Sequence, residues 1–398
     1  MRTSHGVALA LSAGLQLATA APVCTRDDSG LFWVTTYPAE GAEAGSVYTL
    51  KLTDSKLEQV AESDACGPYP SWLTQAGDVL YCVNEAWGGD HGNLTALQIG
   101  TDNSLTKLSG SETVGGPVNI AIYGKGNALA VADYAGGGVD AFDITDTKAI
   151  KLIHSEVYAL PGDDLPNPQD SARPHEALLD PTGNYIVLPD LGADRLRVLK
   201  LDQTTQNFTD LAPYEFERGT GPRHGAFYVV GDVTYFYVVC ELSNLLQGFK
   251  VTYQDEGLKF DRFWNSTSHG DQEPLPTNIT AAAELHIAPN SNFLTLSSRY
   301  ENALTYTVAN GTEVPSDPLI TFSIDNATGE LSLVQIAPAG GANPRHFSFN
   351  ADGSRVASAL QNDGRVVIFE RDITTGKIGK VVAEADVAGS PNFIGFKQ

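Results

Sequence analysis

At three points the sequence places two residues capable of proton transfer or anion binding directly after a proline. These pairs are His175-Glu176, Arg223-His224 and Arg345-His346, and a related segment that starts at Ala282 carries Glu284 and His286. Imidazole and carboxylate groups can exchange protons near neutral pH, and guanidinium groups hold anionic oxygens in forked contacts. If the fold brings the pairs together, we expect a site that binds a small anion and moves a proton.

A second set of polar residues ends the apolar stretch that follows each of these starts. It consists of Glu85, Asp133, Asp190, Glu241, Arg299 and Gln361. Arg223, Arg299 and Arg345 have no adjacent acidic residue in the sequence. Three guanidiniums in one site repel each other unless a ligand anion or a carboxylate such as Glu241 balances them. The alternative is that these residues are structural and only form hydrogen bonds to turns. Each of them, taken singly, fits this alternative as well as it fits a ligand site.

Common catalytic and metal-binding motifs are absent from the sequence. His175-Glu176 begins like the HExxH zinc motif, but Leu179 occupies the position of the second histidine. The chain contains no CxxC pair, no G-x-S-x-G elbow and no P-loop. We therefore expect no metal and no cofactor. A cation held by scattered carboxylates such as Asp133 and Asp190 is the weaker alternative.

The polar residues belong to a unit that recurs along the chain. Each copy has a proline, a polar pair, alternating apolar residues, a tight turn and a second apolar strand, as in PHEALLDPTGNYIVLPD, PRHGAFYVVGDVTYFYVVCE and PRHFSFNADGSRVASALQ. The starts lie roughly fifty to sixty residues apart, which leaves room for the four strands of a propeller blade. Seven such starts occur, at Pro70, Pro117, Pro174, Pro222, Ala282, Pro344 and Pro391.

This spacing predicts an all-β fold: a single seven-bladed β-propeller over residues 21–398, closed by pairing of the N- and C-terminal strands. The last copy stops at Phe396, so Leu31–Tyr37 is expected to complete its sheet. Because the first strand of each blade lines the central channel, the polar pairs should gather at one mouth. A sandwich or two β domains would not explain the regular spacing. Residues 160–172 and 257–280 are expected to form surface loops.

Residues 1–20 are typical of a secretory signal peptide. Arg2 precedes an apolar stretch over residues 7–17, and Ala18-Thr19-Ala20 suits cleavage before Ala21. Six N-x-T sequons then predict a secreted, extracellular glycoprotein, at Asn93, Asn207, Asn265, Asn278, Asn310 and Asn326. The four cysteines suit an oxidising compartment, and the sequence leaves all three ways of pairing them open: Cys24, Cys66, Cys82 and Cys240.

The net charge of −23 argues against two classes of partner. A strongly acidic surface repels nucleic acid and anionic lipid. Beyond the predicted leader, no stretch is long and apolar enough to span a membrane. We therefore expect a small-molecule ligand, with no nucleic acid and no membrane as a partner. A propeller with closed sheet edges is expected to be a monomer.

The segments around the polar pairs resemble the seven-bladed lactonase family, which groups 6-phosphogluconolactonase-like proteins with fungal carboxy-cis,cis-muconate cyclases. The matching motifs are PHxxxxDPTG, PDLGADR, GPRH, ELSN and SSRxxN, and the resemblance runs from Pro70 to the end of the chain. It implies four catalytic residues at the channel mouth: His175, Arg223, Glu241 and Arg299. The other converging residues are expected to bind substrate: Glu176, His224, His286, Arg345, His346 and Gln361.

The resemblance implies an enzyme that hydrolyses a lactone, and the predicted leader makes it a secreted one. A water activated by His175 or Glu241 would attack the ring ester while Arg223 and Arg299 hold the oxyanion. The same groups run backwards would close a lactone from an organic acid, so a carboxymuconate-type cycloisomerase is one alternative. A non-catalytic extracellular ligand-binding propeller is the other. Phosphorylated sugars and muconates are intracellular metabolites, so the predicted leader argues against both as substrates.

Overall fold

The computed structural model describes residues 30–397 except 90, 161–166, 272, 274, 277, 290 and 291. The described residues form strands β1 to β30 and one 3-10 turn at Gly124–Gly126. The strands build seven four-stranded antiparallel sheets and one short hairpin. The predicted signal peptide and Cys24 lie outside the described residues. Within the described part of the chain, no helix has the length and apolar character needed to cross a membrane.

Blades 1 to 4 follow the chain, except that the last strand joins the first sheet. Blade 1 contains β1 (Leu31–Tyr37), β2 (Val47–Thr53), β3 (Lys56–Ser63) and β30 (Ser390–Phe396). Blade 2 contains β4 (Pro70–Ala76), β5 (Val79–Asn84), β6 (Gly92–Ile99) and β7 (Leu105–Thr113). Blade 3 contains β8 (Pro117–Tyr123), β9 (Ala128–Asp133), β10 (Gly138–Asp143) and β11 (Lys151–Val157). Blade 4 contains β12 (Leu178–Leu179), β13 (Tyr185–Asp190), β14 (Arg195–Leu201) and β15 (Phe208–Glu215).

Blades 5 to 7 complete the ring. Blade 5 contains β16 (Pro222–Val230), β17 (Val233–Cys240), β18 (Leu245–Gln254) and β19 (Gly257–Thr267). Blade 6 contains β20 (Ala281–Ile287), β21 (Phe293–Arg299), β24 (Pro318–Ile324) and β25 (Leu331–Pro338), with the hairpin β22 (Leu304–Thr307) and β23 (Glu313–Ser316) inserted in it. Blade 7 contains β26 (Pro344–Phe349), β27 (Arg355–Leu360), β28 (Arg365–Arg371) and β29 (Ile378–Asp386).

Burial within each blade follows its distance from the channel. The second strands are apolar and buried on both faces, as in β5 and β9, because neighbouring blades pack against each side. The outermost strands alternate between exposed and half-buried residues, as in β3. Seven apolar clusters form the core, and each lies between two adjacent blades. Seven interfaces between seven blades require a closed ring, since an open row would have six.

Closure uses the two ends of the described chain, as the sequence predicted. Strand β30 is the channel-side strand of blade 1 and pairs antiparallel with β1, from Phe32 opposite Phe396 to Tyr37 opposite Ser390. The apolar cluster between blades 1 and 7 includes Val34, Ile368 and Ile394. The pairing therefore leaves no sheet edge at the junction, which is where an open array would expose one.

A β-bulge recurs at the start of the channel-side strands. The register shifts between Pro222 and His224 and between Pro344 and His346, and blades 2, 3 and 6 have a shift at the same place. Side chains of a regular strand alternate between its two faces, whereas a bulge adds a residue and re-aims its neighbours. The bulge explains how both members of Arg223-His224 and of Arg345-His346 line the channel.

One expectation about the predicted surface loops was wrong. Residues 257–280 were expected to form a loop, but Gly257–Thr267 is β19, the outermost strand of blade 5. Residues 160–172 contain no strand over their described part. The sequence left the cysteine pairing open. The structure joins Cys66 to Cys82, and Cys240 is buried without a disulfide partner among the described residues.

Candidate active site at one end of the channel

A cavity of about 400 Å³ opens at the end of the channel where the first strand of each blade begins. Four of the predicted site residues line it, each from a different blade: His175, Glu241, Arg299 and Arg345. These side chains are far apart in the sequence. The propeller brings them together because each lies near the start or the end of a strand at the same edge. The rest of the wall includes Tyr134 and the loop over residues 85–89, which contains Trp87, together with Gly116, Val118 and Ala135.

Glu241 is the charged centre of this cavity. Its Oε2 lies 2.8 Å from Arg299 Nη2 and 2.9 Å from Arg223 Nε. Arg299 is also held by the carbonyl oxygens of Ala281 and Ala282, to which its Nε and Nη2 donate. Burial raises the pKa of Glu241, but the charges of Arg299, Arg223 and Arg345 outweigh it and the net pKa is lowered. Glu241 is therefore ionised at neutral pH and balances two guanidiniums.

Arg223 lies beneath the cavity rather than in its wall. Its side chain is only 2% exposed and lines a void of about 10 Å³ farther down the channel. Its Nε is close to Glu241 without being aligned as a hydrogen bond, and its Nη1 is buried without a hydrogen-bond partner among the described residues. From this position Arg223 acts on the cavity through its charge and through Glu241.

Arg345 presents a free cation to the same cavity. Its guanidinium lies 5.9 Å from the ring centroid of Tyr37 and forms no ion pair with any described residue. Burial lowers the pKa of Arg345, but Tyr37, Glu85 and Glu241 raise it by more, so the net pKa is above its usual value. A permanently charged guanidinium that lines a cavity and has no carboxylate partner is suited to bind an anionic group of a ligand.

His175 is the candidate proton acceptor of the cavity. Its backbone N–H donates to the Pro189 carbonyl oxygen, and the Tyr134 ring packs edge-on against the imidazole at 5.2 Å. Burial, followed by the charges of Arg223, His224 and Arg345, lowers the pKa of His175 well below its usual value. The imidazole is therefore neutral at neutral pH and can accept a proton.

Other predicted residues lie deeper along the channel or at its opposite end. Glu176, His286 and His346 line a second cavity of about 620 Å³, where the first strands end, together with Trp33 and Trp72. His224 lies between the two cavities. The polar pairs are therefore spread along the channel axis and do not all gather at one mouth as the sequence pattern suggested. Within a pair, the second residue is one step farther along its strand.

Gln361 lines neither cavity. Its side-chain oxygen accepts a weak hydrogen bond from Asn343 Nδ2 at 3.4 Å. Two of the strand-end acids also lie outside both cavities. Asp190 accepts hydrogen bonds from the backbone of Arg173 and from Arg197 Nε, both at 2.7 Å. Burial, and then the neighbouring Asp140, raise the pKa of Asp133 well above its usual value. The Asp190 carboxylate is therefore occupied by hydrogen bonds, and burial favours the neutral form of Asp133.

Two groups of side chains in the described chain are close enough to hold a metal ion: Glu284, His286 and His346, and Glu176, His224 and Glu284. In the first, His346 Nδ1 accepts a hydrogen bond from the Ile394 N–H at 3.2 Å. The neutral ring then carries its proton on Nε2, the atom that a metal would need. In the second, His224 Nδ1 is hydrogen-bonded to Glu284 Oε1 at 2.9 Å. Hydrogen bonding accounts for the second group, whereas Glu284 Oε2, His286 Nε2 and His346 Nε2 of the first group are buried without a hydrogen-bond partner among the described residues.

Sequence reasoning missed the aromatic side of the cavity. Trp87 is 55% exposed, stacks on Tyr69 with ring centroids 5.1 Å apart, and donates from Nε1 to Glu85 Oε2 at 2.8 Å. The Tyr37 hydroxyl donates to the other oxygen of Glu85. The sequence feature that could have indicated this aromatic wall is the tryptophan in the glycine-rich loop after β5, directly beyond the strand-end residue Glu85.

Residues 31–396 match the family described as Lactonase, 7-bladed beta-propeller. The chain belongs to this seven-bladed lactonase family. The match spans all seven blades, so the fold and the family agree over the whole described propeller. It confirms the resemblance that the PH, GPRH, ELSN and SSRxxN motifs indicated.

Relatives of this chain have names that refer to sugar lactones. A fungal protein of Arthroderma benhamiae named "Probable 6-phosphogluconolactonase" is 30% identical over 85% of this chain and 83% of its own. A 6-phosphogluconolactonase of Formosa agariphila is 30% identical over 80% of this chain and 85% of its own. The solved structure of the Pseudomonas aeruginosa periplasmic gluconolactonase PpgL is 25% identical, with a TM-score of 0.74 over 92% of this chain and 98% of that one. Lactone hydrolysis is therefore the activity associated with the family.

Proposed function

We propose that this protein is a secreted enzyme that hydrolyses a lactone in the 400 Å³ cavity at the start of the channel-side strands. The observation that carries the proposal is the convergence of a neutral imidazole, His175, with the guanidiniums of Arg299 and Arg345 around Glu241. Ester hydrolysis needs a base for water and fixed positive charge for the oxyanion. Family membership supports the same reaction class.

In the proposed reaction, His175 Nε2 removes a proton from a water molecule in the cavity. The water oxygen forms a bond to the lactone carbonyl carbon, and the carbonyl electron pair moves onto its oxygen. Arg299 holds this oxyanion in our assignment because its guanidinium lines the cavity while Glu241 and two carbonyl oxygens fix its position. The bond between carbonyl carbon and ring oxygen then breaks. The ring oxygen takes the proton from His175, which gives a hydroxy acid.

Glu241 and Arg223 have supporting roles in this mechanism. Glu241 keeps two buried guanidiniums close together by balancing their charge. The Glu241 carboxylate is engaged by two guanidiniums, whereas the His175 imidazole is neutral and has no cation bonded to it, so we assign the base to His175. Arg223 is too deeply buried to meet a substrate directly, and it stabilises the ionised form of Glu241.

We propose that the substrate is a sugar-type lactone that carries an acidic group. Arg345 supports this because its cation faces the cavity without a carboxylate partner among the described residues. Trp87 and Tyr134 offer aromatic faces against which the C–H face of a sugar ring can pack. The predicted signal peptide, the six sequons and the Cys66–Cys82 disulfide support an extracellular substrate.

The proposed function is tested by measuring proton release from a panel of lactones with the purified protein. Turnover of an acidic sugar lactone that His175→Asn loses would support it. A matched control is His154→Asn, because His154 packs on Phe208 and lines neither cavity. If no lactone is hydrolysed, the hydrolase proposal fails, and lactone closure from an unsaturated dicarboxylic acid is the next reaction to measure.

A further inference from the structure

A buried chain of hydrogen bonds connects His175 to an acidic side chain two blades away. His175 Nδ1 lies 3.0 Å from His224 Nε2, and His224 Nδ1 lies 2.9 Å from Glu284 Oε1. The three residues belong to blades 4, 5 and 6, and each is at most 6% exposed. Their arrangement crosses the channel and ends on the cavity that holds Glu241 and Arg299.

The acidic end determines where the protons are in this chain. Glu284 Oε1 also accepts the Leu285 backbone N–H at 3.0 Å, so this oxygen is an acceptor. An ionised carboxylate cannot donate, and His224 Nδ1 must therefore carry the hydrogen of their shared bond. Neutral His224 then has its lone pair on Nε2, which accepts from His175 Nδ1–H. The lone pair of neutral His175 is left on Nε2.

The surroundings of Glu284 favour this order. Burial raises the pKa of Glu284, but His224, His346 and His286 lower it by more, so the carboxyl is ionised. His346 Nε2 lies 3.4 Å from Glu284 Oε2, and His286 Nε2 lies 3.7 Å from Oε1. Since His346 Nδ1 accepts from the Ile394 N–H, a proton on Nε2 faces the carboxylate.

The second nearby acid does not compete for His224. Glu176 Oε1 is 3.9 Å from His224 Nδ1, and its Oε2 accepts the Gly225 N–H at 2.7 Å. Burial, and then the charge of Glu284, raise the pKa of Glu176 well above its usual value, so this carboxyl is neutral. Arg223 places a positive charge beside this chain of hydrogen bonds, and the charge lowers the pKa of both His175 and His224. A proton is therefore held only weakly on either ring.

We propose that Glu284 and His224 are positioning residues that fix the Nδ1–H tautomer of His175 and so present its Nε2 as the base of the lactonase reaction. The part of this inference that makes His175 the catalytic base rests on the proposed function. Its proton order, however, is a property of the free protein. The arrangement extends the logic of a carboxylate that orients a catalytic imidazole, with one additional imidazole between the two.

Nuclear magnetic resonance of protein labelled with ¹⁵N in its histidine rings tests the proton order without substrate. The chain has eight histidines, and single substitutions to asparagine assign their signals. In the wild type, His175 and His224 should both carry the ring proton on Nδ1. In Glu284→Gln, the side-chain amide can donate to His224 Nδ1, so both rings should shift toward the Nε2–H form. A wild-type signal for His175 in the Nε2–H form would overturn the proposal.

Kinetics on whichever lactone the wild type hydrolyses supply the second measurement. Glu284→Gln should lower kcat by at least about 100-fold with little change in KM, since loss of the orienting carboxylate in a serine-protease triad costs about 10⁴-fold. The matched control is Glu301→Gln, which breaks a buried glutamate–histidine contact with His269 at 3.1 Å outside the chain of three. It should leave the His175 signals and kcat unchanged.

The two measurements separate the possible failures. Unchanged tautomers in folded Glu284→Gln, or equal kinetic losses in Glu284→Gln and Glu301→Gln, would refute the positioning role. The expected tautomers in a wild type that hydrolyses no lactone would refute the proposed function and leave the proton order established. Glu284→Asp, which keeps the charge, should retain the Nδ1–H tautomers, so it distinguishes loss of the carboxylate from disruption of packing.

Discussion

Replacing Glu241 by glutamine should destabilise the folded protein because it leaves two close guanidiniums without their shared counter-charge. Glu241 Oε2 is 2.9 Å from Arg223 Nε and 2.8 Å from Arg299 Nη2. Removing one partner of a buried ion pair costs roughly 3–5 kcal/mol. The Glu241 side chain is 21% exposed, so solvent screening favours the lower bound, about 3 kcal/mol. At about 2 °C per kcal/mol for a large domain, the expected fall in Tm is about 6 °C.

Differential scanning calorimetry at neutral pH would measure this loss against a matched ion pair. Glu215 lies 2.6 Å from Arg195 on the outer surface, and its side chain is 66% exposed. Glu215→Gln should cost at most about 1 kcal/mol. A small carboxylate such as formate should raise the Tm of Glu241→Gln more than that of the wild type, since it can occupy the vacated position. Equal Tm losses in the two variants, without any effect of formate, would refute the charge-balancing role.

The same variant has a defined pH dependence. The folded-state pKa of Glu241 is lower than its usual value, so its ionised form stabilises the folded protein above the unfolded-state pKa. This stabilisation is lost as the pH falls through the folded-state pKa. The difference in Tm between the wild type and Glu241→Gln should therefore be greatest near neutral pH and shrink in acid. A difference that grows on acidification would contradict the assigned direction of the shift.

Three other perturbations have defined outcomes. Arg345→Met should lower kcat/KM for acidic lactones by roughly 10–100-fold, as expected when a charged hydrogen bond is lost, and should leave kcat/KM for neutral lactones nearly unchanged. Equal losses for both substrate classes in steady-state assays would contradict anion recognition. Because burial and Arg223 lower the pKa of His175, kcat/KM should stay constant as the pH is lowered to below about 6. A fall in kcat/KM centred on the ordinary histidine pKa near 6.5 would contradict a neutral base. Replacing both Cys66 and Cys82 by alanine should cost about 3 kcal/mol in urea unfolding, since their sequence separation is 16 residues, and an unchanged midpoint would contradict a stabilising cross-link.

The fold was predictable because the repeat is carried by residues with fixed structural roles. A proline begins most channel-side strands, and positive-φ glycines such as Gly183 and Gly353 form the turns that follow. The closure of the ring followed from the incomplete copy at Pro391 and the apolar stretch Leu31–Tyr37. In contrast, β19 was predicted as part of a loop. Its exposed outer position permits charged residues and a sequon, so its apolar alternation is weak.

The site was only partly predictable. The motifs identified His175, Glu241, Arg299 and Arg345, which line one cavity. They could not show how far along the channel each second residue of a pair lies, because that depends on the β-bulges. The hydrogen-bond chain to Glu284 was equally hidden, since it joins three blades through tertiary packing. Trp87 lies in a loop, where neither periodicity nor repeat spacing indicates which residue faces the cavity.

The most direct test of the account is the rate of proton release from an acidic sugar lactone by the wild type, His175→Asn and His154→Asn at neutral pH. If His175 is the base of a lactonase, the wild type and His154→Asn should turn over at equal rates. His175→Asn should lose at least about 100-fold in kcat, as expected for a general base. Equal rates for all three proteins, or no turnover by the wild type, would contradict the account.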